Sequence, residues 1–238
     1  MLETARKDGV LRLTRPGTRW LSTGWDGGTQ VTDHCYNVTV PEGWERQDLE
    51  RYTSERIAAA GFGESSSHSL GPVLLTGVAQ RHARGARCGP VAAVATTGVS
   101  NPAALPMDPE GGRLPDERRP EAGTVNVFLV TERAVPESAL ANLVAVVAEA
   151  KAATLLDSVG FPGTTSDAIV VGCDPDGERA TFSGSATRIG AAARACVREA
   201  IRAGLSARYG DETPPESVAA ARHGVSTDVR ADVFEPDG

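Results

Sequence analysis

Residues 138–157 read SALANLVAVVAEAKAATLLD, and residues 163–173 read GTTSDAIVVGC. In the first stretch apolar side chains recur at helical spacing, at Leu140, Leu143, Val144, Val147 and Leu155. Pro136 and Glu137 suit a first turn: proline gives up no needed N–H there, and a carboxylate favours the positive helix end. The second stretch is a turn rich in hydroxyls that ends in Asp167 and runs into an apolar strand from Ala168 to Cys173. Helix, polar turn and buried strand in succession are the unit of a sheet covered by helices.

A charge interrupts this apolar helix. The chain has only two lysines, Lys7 and Lys151, although arginine is plentiful. Lys151 lies four residues beyond Val147 and so shares the core-facing stripe. An ammonium there is costly to desolvate unless it has a partner, which marks it for chemistry. Glu149 falls on the flank of the same stripe. The alternative is that both charges sit at the helix surface, tethered to neighbours. The stretch is long enough to suggest a membrane span, but Asn142, Glu149 and Lys151 argue against one.

Composition narrows the function classes. At 238 residues the chain can bury a sizeable core, and its net charge of -7 speaks against nonspecific nucleic-acid binding, despite Arg81, Arg84 and Arg87. Cys35, Cys88, Cys173 and Cys196 are too dispersed for a zinc signature, and the histidines form no spaced pair on one helix. No charged-then-apolar leader opens the sequence, so reduced thiols and a cytoplasmic setting are expected.

Working outward, Leu11 to Arg15, Arg19 to Ser22 and Cys35 to Val40 read as strands, with a glycine-rich turn from Thr23 to Gly28. A helix is expected from Arg46 to Ala60, stopped by Gly61. Pro72 to Thr76, Pro90 to Thr96 and Thr124 to Val130 read as further strands. Pro102 to Ala122 reads as a surface loop. After the turn at Asp174-Pro175-Asp176-Gly177, Arg179 to Phe182 is expected to complete a hairpin, and a last helix runs from Ala186 to Ala207. These elements predict one α/β (α+β) domain over residues 1–210, with mixed β-sheet layers packed against helices. An acidic tail over 211–238 is expected to be disordered. Two stretches with a similar order of elements hint at a duplication, without any repeat at the level of residues. No dinucleotide or triphosphate fingerprint is present, since Gly61-Phe62-Gly63 follows a helix.

Polar residues crowd the strand ends: Trp20-Leu21-Ser22-Thr23 with Gly27-Gly28, Thr96-Thr97-Gly98-Val99-Ser100-Asn101, Gly123-Thr124-Val125-Asn126, Gly163-Thr164-Thr165-Ser166-Asp167, and Ala186-Thr187-Arg188-Ile189-Gly190. Singly, each is explained as a turn or a helix cap, and for Thr187 the cap is the better account. Taken in order, together with Asn37 and Glu149-Ala150-Lys151, the set resembles the adenosylcobinamide amidohydrolase family of corrinoid salvage enzymes, from about residue 19 to 208.

The resemblance implies hydrolysis of the amide joining aminopropanol to the corrin ring of adenosylcobinamide, giving adenosylcobyric acid and 1-amino-2-propanol. The partner is then a small-molecule corrinoid. No cofactor is expected beyond the cobalt that the substrate carries. Hydrolysing an unactivated amide needs an attacking oxygen, a stabilised oxyanion and a proton for the amine. On this reading Glu149 or Asp167 activates water, and Lys151 stabilises the oxyanion or protonates the amine. Alternatively, a hydroxyl of Thr97, Thr165 or Ser166 is a covalent nucleophile. Asn37, Asn101 and Asn126 suit the amide-bearing corrin rim, with Ser22, Thr23, Thr124 and Thr164 beside them. A corrinoid-binding protein without turnover, or an amidase for another bulky amide, remains the rival expectation.

Overall fold

The apolar runs pair into a sheet, and the helices pack on the face opposite the residues that its strands bury against one another. A computed structural model describes residues 1–41, 43–44, 48–63, 70–114, 124–210, 212–215, 217–221 and 223–236. The elements in chain order are β1 (Glu3–Lys7), β2 (Val10–Ser22), β3 (Gly28–Thr39), α1 (Leu49–Ala59) and β4 (Val73–Thr76). There follow β5 (Arg84–Cys88), β6 (Val91–Thr97), β7 (Pro102–Ala104), β8 (Val125–Thr131), α2 (Glu137–Val159), β9 (Gly163–Thr164), β10 (Ala168–Cys173), α3 (Arg188–Tyr209) and β11 (Val225–Ser226). Among the described residues the main sheet has eight strands in the order β4-β3-β2-β10-β8-β6-β5, with β1 paired to β2. A second sheet, β11-β7-β9, has three. The β10–β8 and β3–β4 pairs are parallel and the rest of the main sheet antiparallel, which is the mixed α/β domain expected.

Side-chain alternation divides the core. Val125, Val127 and Leu129 of β8 face α2 and α3, together with Val91, Ala93 and Ala95 of β6 and Val171 of β10. Phe128 and Val130 point the other way and pack with Leu11, Leu13, Trp20, Leu74 and Val170. β8 is buried on both faces, which is why its sequence shows a continuous apolar run rather than an alternation. A third cluster, around Tyr36, Val38, Tyr52 and Ile57, seats α1. α2 is apolar and long enough to cross a bilayer by length and composition alone, but its buried face belongs to the core with β8, β10 and α3.

Several expectations are corrected. The two strands read at 11–15 and 19–22 are one strand, β2, whose pairing to β3 shifts register between Thr14 and Thr18. Pro16 and Gly17, the latter at φ 63°, sit in that irregularity and interrupt the pattern without ending the strand. β5 is the edge strand of the sheet and reads Arg-Gly-Ala-Arg-Cys, which hides it from a search for apolar runs. Arg179 to Phe182 makes no hairpin. The chain there runs alongside Ala134 through a single bridge, with Ala134 N–H donating to Glu178 and Ala180 N–H donating to Ala134.

The expected cap at Thr187 holds, and the other boundaries shift. Asp48 caps α1 and accepts from the Arg51 N–H, whereas Arg46, the expected start, lies outside the described residues. Thr187 caps α3, accepting from the Gly190 N–H at 3.0 Å. Residues 102–104 of the expected loop form β7, and the end of that loop falls outside the described residues. Within 211–238, Val225–Ser226 pair with β7. The four cysteines are free thiols, and Cys88 alone of them is exposed. Burial, and then the neighbouring Cys88, pushes the Cys196 thiol up to about 11.

Candidate active site

Lys151 is buried on α2, as its place on the apolar stripe requires, and its ammonium donates to Asp167 Oδ2. Both side chains are 11% exposed. The carboxylate has three further donors. The Thr164 N–H reaches Oδ2 at 3.1 Å, the Val125 N–H reaches Oδ1 at 2.9 Å, and the Thr164 hydroxyl also donates to Oδ1. Asp167 therefore ties together the 163–167 turn, the first residue of β8 and helix α2. Charge-assisted bonds of this number offset the desolvation that a buried pair suffers.

Gly163 makes room for the pair. A Cβ there would lie 2.7 Å from both Asp167 Oδ2 and Lys151 Nζ. The same turn holds its neighbours in place: Asn101 Nδ2 donates to Thr165 Oγ1 at 2.6 Å, and the Thr165 N–H donates to Asn101 O at 3.2 Å. The Thr124 hydroxyl donates to Ser166 O. β9 pairs with β7, fixing Thr164 opposite Pro102. On the other flank, Thr23 and Ile169 exchange two bonds at 2.9 Å, so the end of β2 lies beside the start of β10. Ser22 Oγ accepts from the Gly24 N–H at 3.1 Å.

Two of the expected asparagines belong to a different cluster. Asn37 and Asn126 are fully buried, and Asn126 Nδ2 donates to Asn37 Oδ1 and to Leu75 O, each at 2.9 Å. Asn37 Nδ2 donates to Thr96 Oγ1 at 2.9 Å. Gln80, at 4% exposure, donates to Thr39 Oγ1 at 3.1 Å and closes the cluster. This net cross-links β3, β4, β6 and β8 beneath the sheet surface. It meets the charged cluster through Thr124, which lies 3.4 Å from Asn126 Oδ1.

The structure thus brings Lys151, Asp167, Thr164, Thr165, Ser166, Asn101 and Thr124 together, with Ser22 and Thr23 alongside. It does not bring in Glu149, which lies on the outer face of α2 and pairs with Arg194 at 3.2 Å, its side chain 63% exposed. Thr97 is also turned away. Its side chain is on the helix-covered face of β6, against Gly204 of α3, where a Cβ would come within 2.7 Å of its hydroxyl. Sequence reasoning passed over Gln80, for which no signal exists in the sequence. It also passed over Trp25, whose signal is a large aromatic in a glycine-rich turn with no core to enter. Among the described residues no group of three or more His, Cys, Asp and Glu side chains gathers as a metal site would require.

The family model described as adenosylcobinamide amidohydrolase matches residues 2–213. The chain belongs to this family. A curated adenosylcobinamide amidohydrolase of Halobacterium salinarum is 61% identical over 236 residues, covering 99% of this chain and 100% of that one. Another member of the family, from Methanosarcina mazei, is 29% identical over 198 residues, covering 79% of this chain and 90% of its own. A solved structure, the PH0078 protein from Pyrococcus horikoshii OT3, aligns at a TM-score of 0.46 and 11% identity over 85% of this chain and 78% of that one, too distant to bear on function. The family resemblance carried by the ordered motifs is borne out, from the Trp20 strand end to the Thr187 cap.

Proposed function

We propose that this protein hydrolyses the aminopropanol amide of adenosylcobinamide, releasing adenosylcobyric acid and 1-amino-2-propanol for corrinoid salvage. Within a member of the amidohydrolase family, the observation that carries the reading is the buried Lys151–Asp167 pair at the edge of a hydroxyl-rich turn. The only metal in this reading is the cobalt that the substrate brings.

The steps use groups already in contact. The substrate carbonyl oxygen approaches the Lys151 ammonium, which has three N–H donors and can serve Asp167 and a developing oxyanion together. As the ammonium leans toward that oxyanion, Asp167 Oδ2 is freed to take a proton from water. The water oxygen bonds to the carbonyl carbon, the C–N bond then breaks, and the proton on Asp167 passes to the departing nitrogen. Amide and water are consumed; a carboxylic acid and an amine are formed. Thr165, braced from beneath by the buried Asn101, and Ser166 form the polar wall that the corrin amides meet.

Water is favoured over a protein hydroxyl because Thr97 faces α3 and Thr165 is engaged by Asn101. The test is incubation with adenosylcobinamide, with mass detection of both products. Conversion that is lost in Lys151→Met but kept in Ser166→Ala supports the assignment. Tight binding of adenosylcobinamide without any release of aminopropanol would replace it with a binding protein that has no turnover.

A further inference from the structure

The turn between β2 and β3 carries Trp25, 41% exposed despite its size. Its indole stands with Asp48, Leu49 and Glu50, from the start of α1, around a shallow hollow open to solvent. The turn is anchored next to the charged cluster, since Thr23 and Ile169 exchange two hydrogen bonds and Ile169 lies two residues beyond Asp167. Gly24 seats the turn against β4, where a Cβ would lie 2.6 Å from Leu74 Cδ2. None of these four lining residues takes part in the steps proposed above.

We infer that the open hollow beside Trp25 is a nucleoside subsite, receiving the adenosyl group that the substrate carries on its cobalt. Three features fit this occupant. An exposed indole offers a flat face on which a purine stacks. Leu49 supplies an apolar wall. Asp48 and Glu50 are carboxylates, acceptors suited to the two vicinal ribose hydroxyls, and they oppose a phosphorylated ligand by charge. A nucleoside without phosphate is the ligand this combination selects, so Trp25 and Glu50 act as specificity residues for the adenosyl form. The inference rests on the corrinoid reading of the Lys151–Asp167 site.

The experiment measures dissociation constants of the whole protein for adenosylcobinamide and for aquacobinamide, which lacks the nucleoside, by titration of corrin absorbance. The wild type is expected to prefer the adenosyl form. Trp25→Ala should weaken adenosylcobinamide binding about tenfold, the loss of one base–aromatic stack, and leave aquacobinamide unchanged. Trp25→Phe should restore most of the preference, and Glu50→Gln should weaken adenosylcobinamide selectively. Equal weakening of both corrinoids by Trp25→Ala would place the corrin face, not the nucleoside, on the indole and overturn the inference. No effect on either would overturn it as well. Failure of the wild type to bind or turn over any corrinoid would instead refute the parent reading.

Discussion

Two polar clusters meet at Thr124, and they solve burial in opposite ways. The Asn37–Asn126–Thr96 net is neutral, and its two asparagines are wholly enclosed and bonded to one another. The Lys151–Asp167 cluster holds full charges, is built on a turn, and leaves each side chain 11% exposed. Saturated amides without any solvent exposure cannot meet a substrate without unfolding the sheet around them. Their value lies in fixing β3, β4, β6 and β8 in one register. A charged pair at a loop edge is instead positioned to exchange one partner for another. The asparagines expected at the corrin rim are thus all buried and divide by what they hold: Asn101 braces Thr165 of the site's turn, whereas Asn37 and Asn126 belong to the scaffold.

The largest effect that can break this comparison comes from Lys151→Met, which keeps the side-chain length and removes the charge. Turnover of adenosylcobinamide should fall by about 10²–10³-fold, the usual loss for an oxyanion donor. Asp167 then remains buried without its cation, so stability to urea should also fall, by about 3–5 kcal/mol. Adding Asp167→Asn in the same chain should return much of that stability and none of the activity. Recovery of turnover in the double variant would show that the pair is structural only.

Asn126→Ala tests the other cluster. It strands Asn37 Oδ1 and Leu75 O, and each buried unsatisfied group costs about 1–3 kcal/mol. The melting temperature should drop while kcat in the folded protein holds, a pattern opposite to that of Lys151→Met. A lowered kcat with an unchanged melting temperature would move Asn126 back to the substrate.

Gly163→Ala sits between these extremes. Its new Cβ presses on both members of the ion pair, so they must separate or the turn must shift, an overpacking cost of about 1–3 kcal/mol. Activity should decline with stability, and calorimetry beside steady-state kinetics reads both. Undiminished activity would show that the Lys151–Asp167 contact is not needed in its observed geometry.

Much of this was legible in the sequence, for reasons that differ by element. Lys151 was found because helical periodicity places it on a buried stripe, and burial of an ammonium demands a partner. Asp167 was found by its position, one residue ahead of an apolar strand. What periodicity cannot give is the other side of a contact. Gln80 and Thr39 meet only because strands and turns from distant parts of the chain converge. β5, β7 and β9 are short or charged and leave no apolar signature. The break at Pro16-Gly17 looked like a strand end, because a bulge and a terminus use the same residues. Glu149 shows the limit most plainly: two residues from Lys151 along a helix is about 200° around it, and so nearly the opposite face.

That rotation yields the smallest effect and the sharpest check on the site. Glu149 pairs with Arg194 across α2 and α3, with side chains 63% and 42% exposed, so solvent screens the attraction. Exposed pairs of this kind contribute about 0–1 kcal/mol. Glu149→Gln should therefore shift the melting temperature slightly and leave kcat and KM for adenosylcobinamide where they were. Raising the ionic strength should erase even the small difference in stability, since screening already removes most of what the pair supplies. If Glu149→Gln instead lost turnover as Lys151→Met does, the acid that activates water would have to reach the substrate from the outer face of α2. The buried pair would then be a scaffold for a site on the other side of the helix.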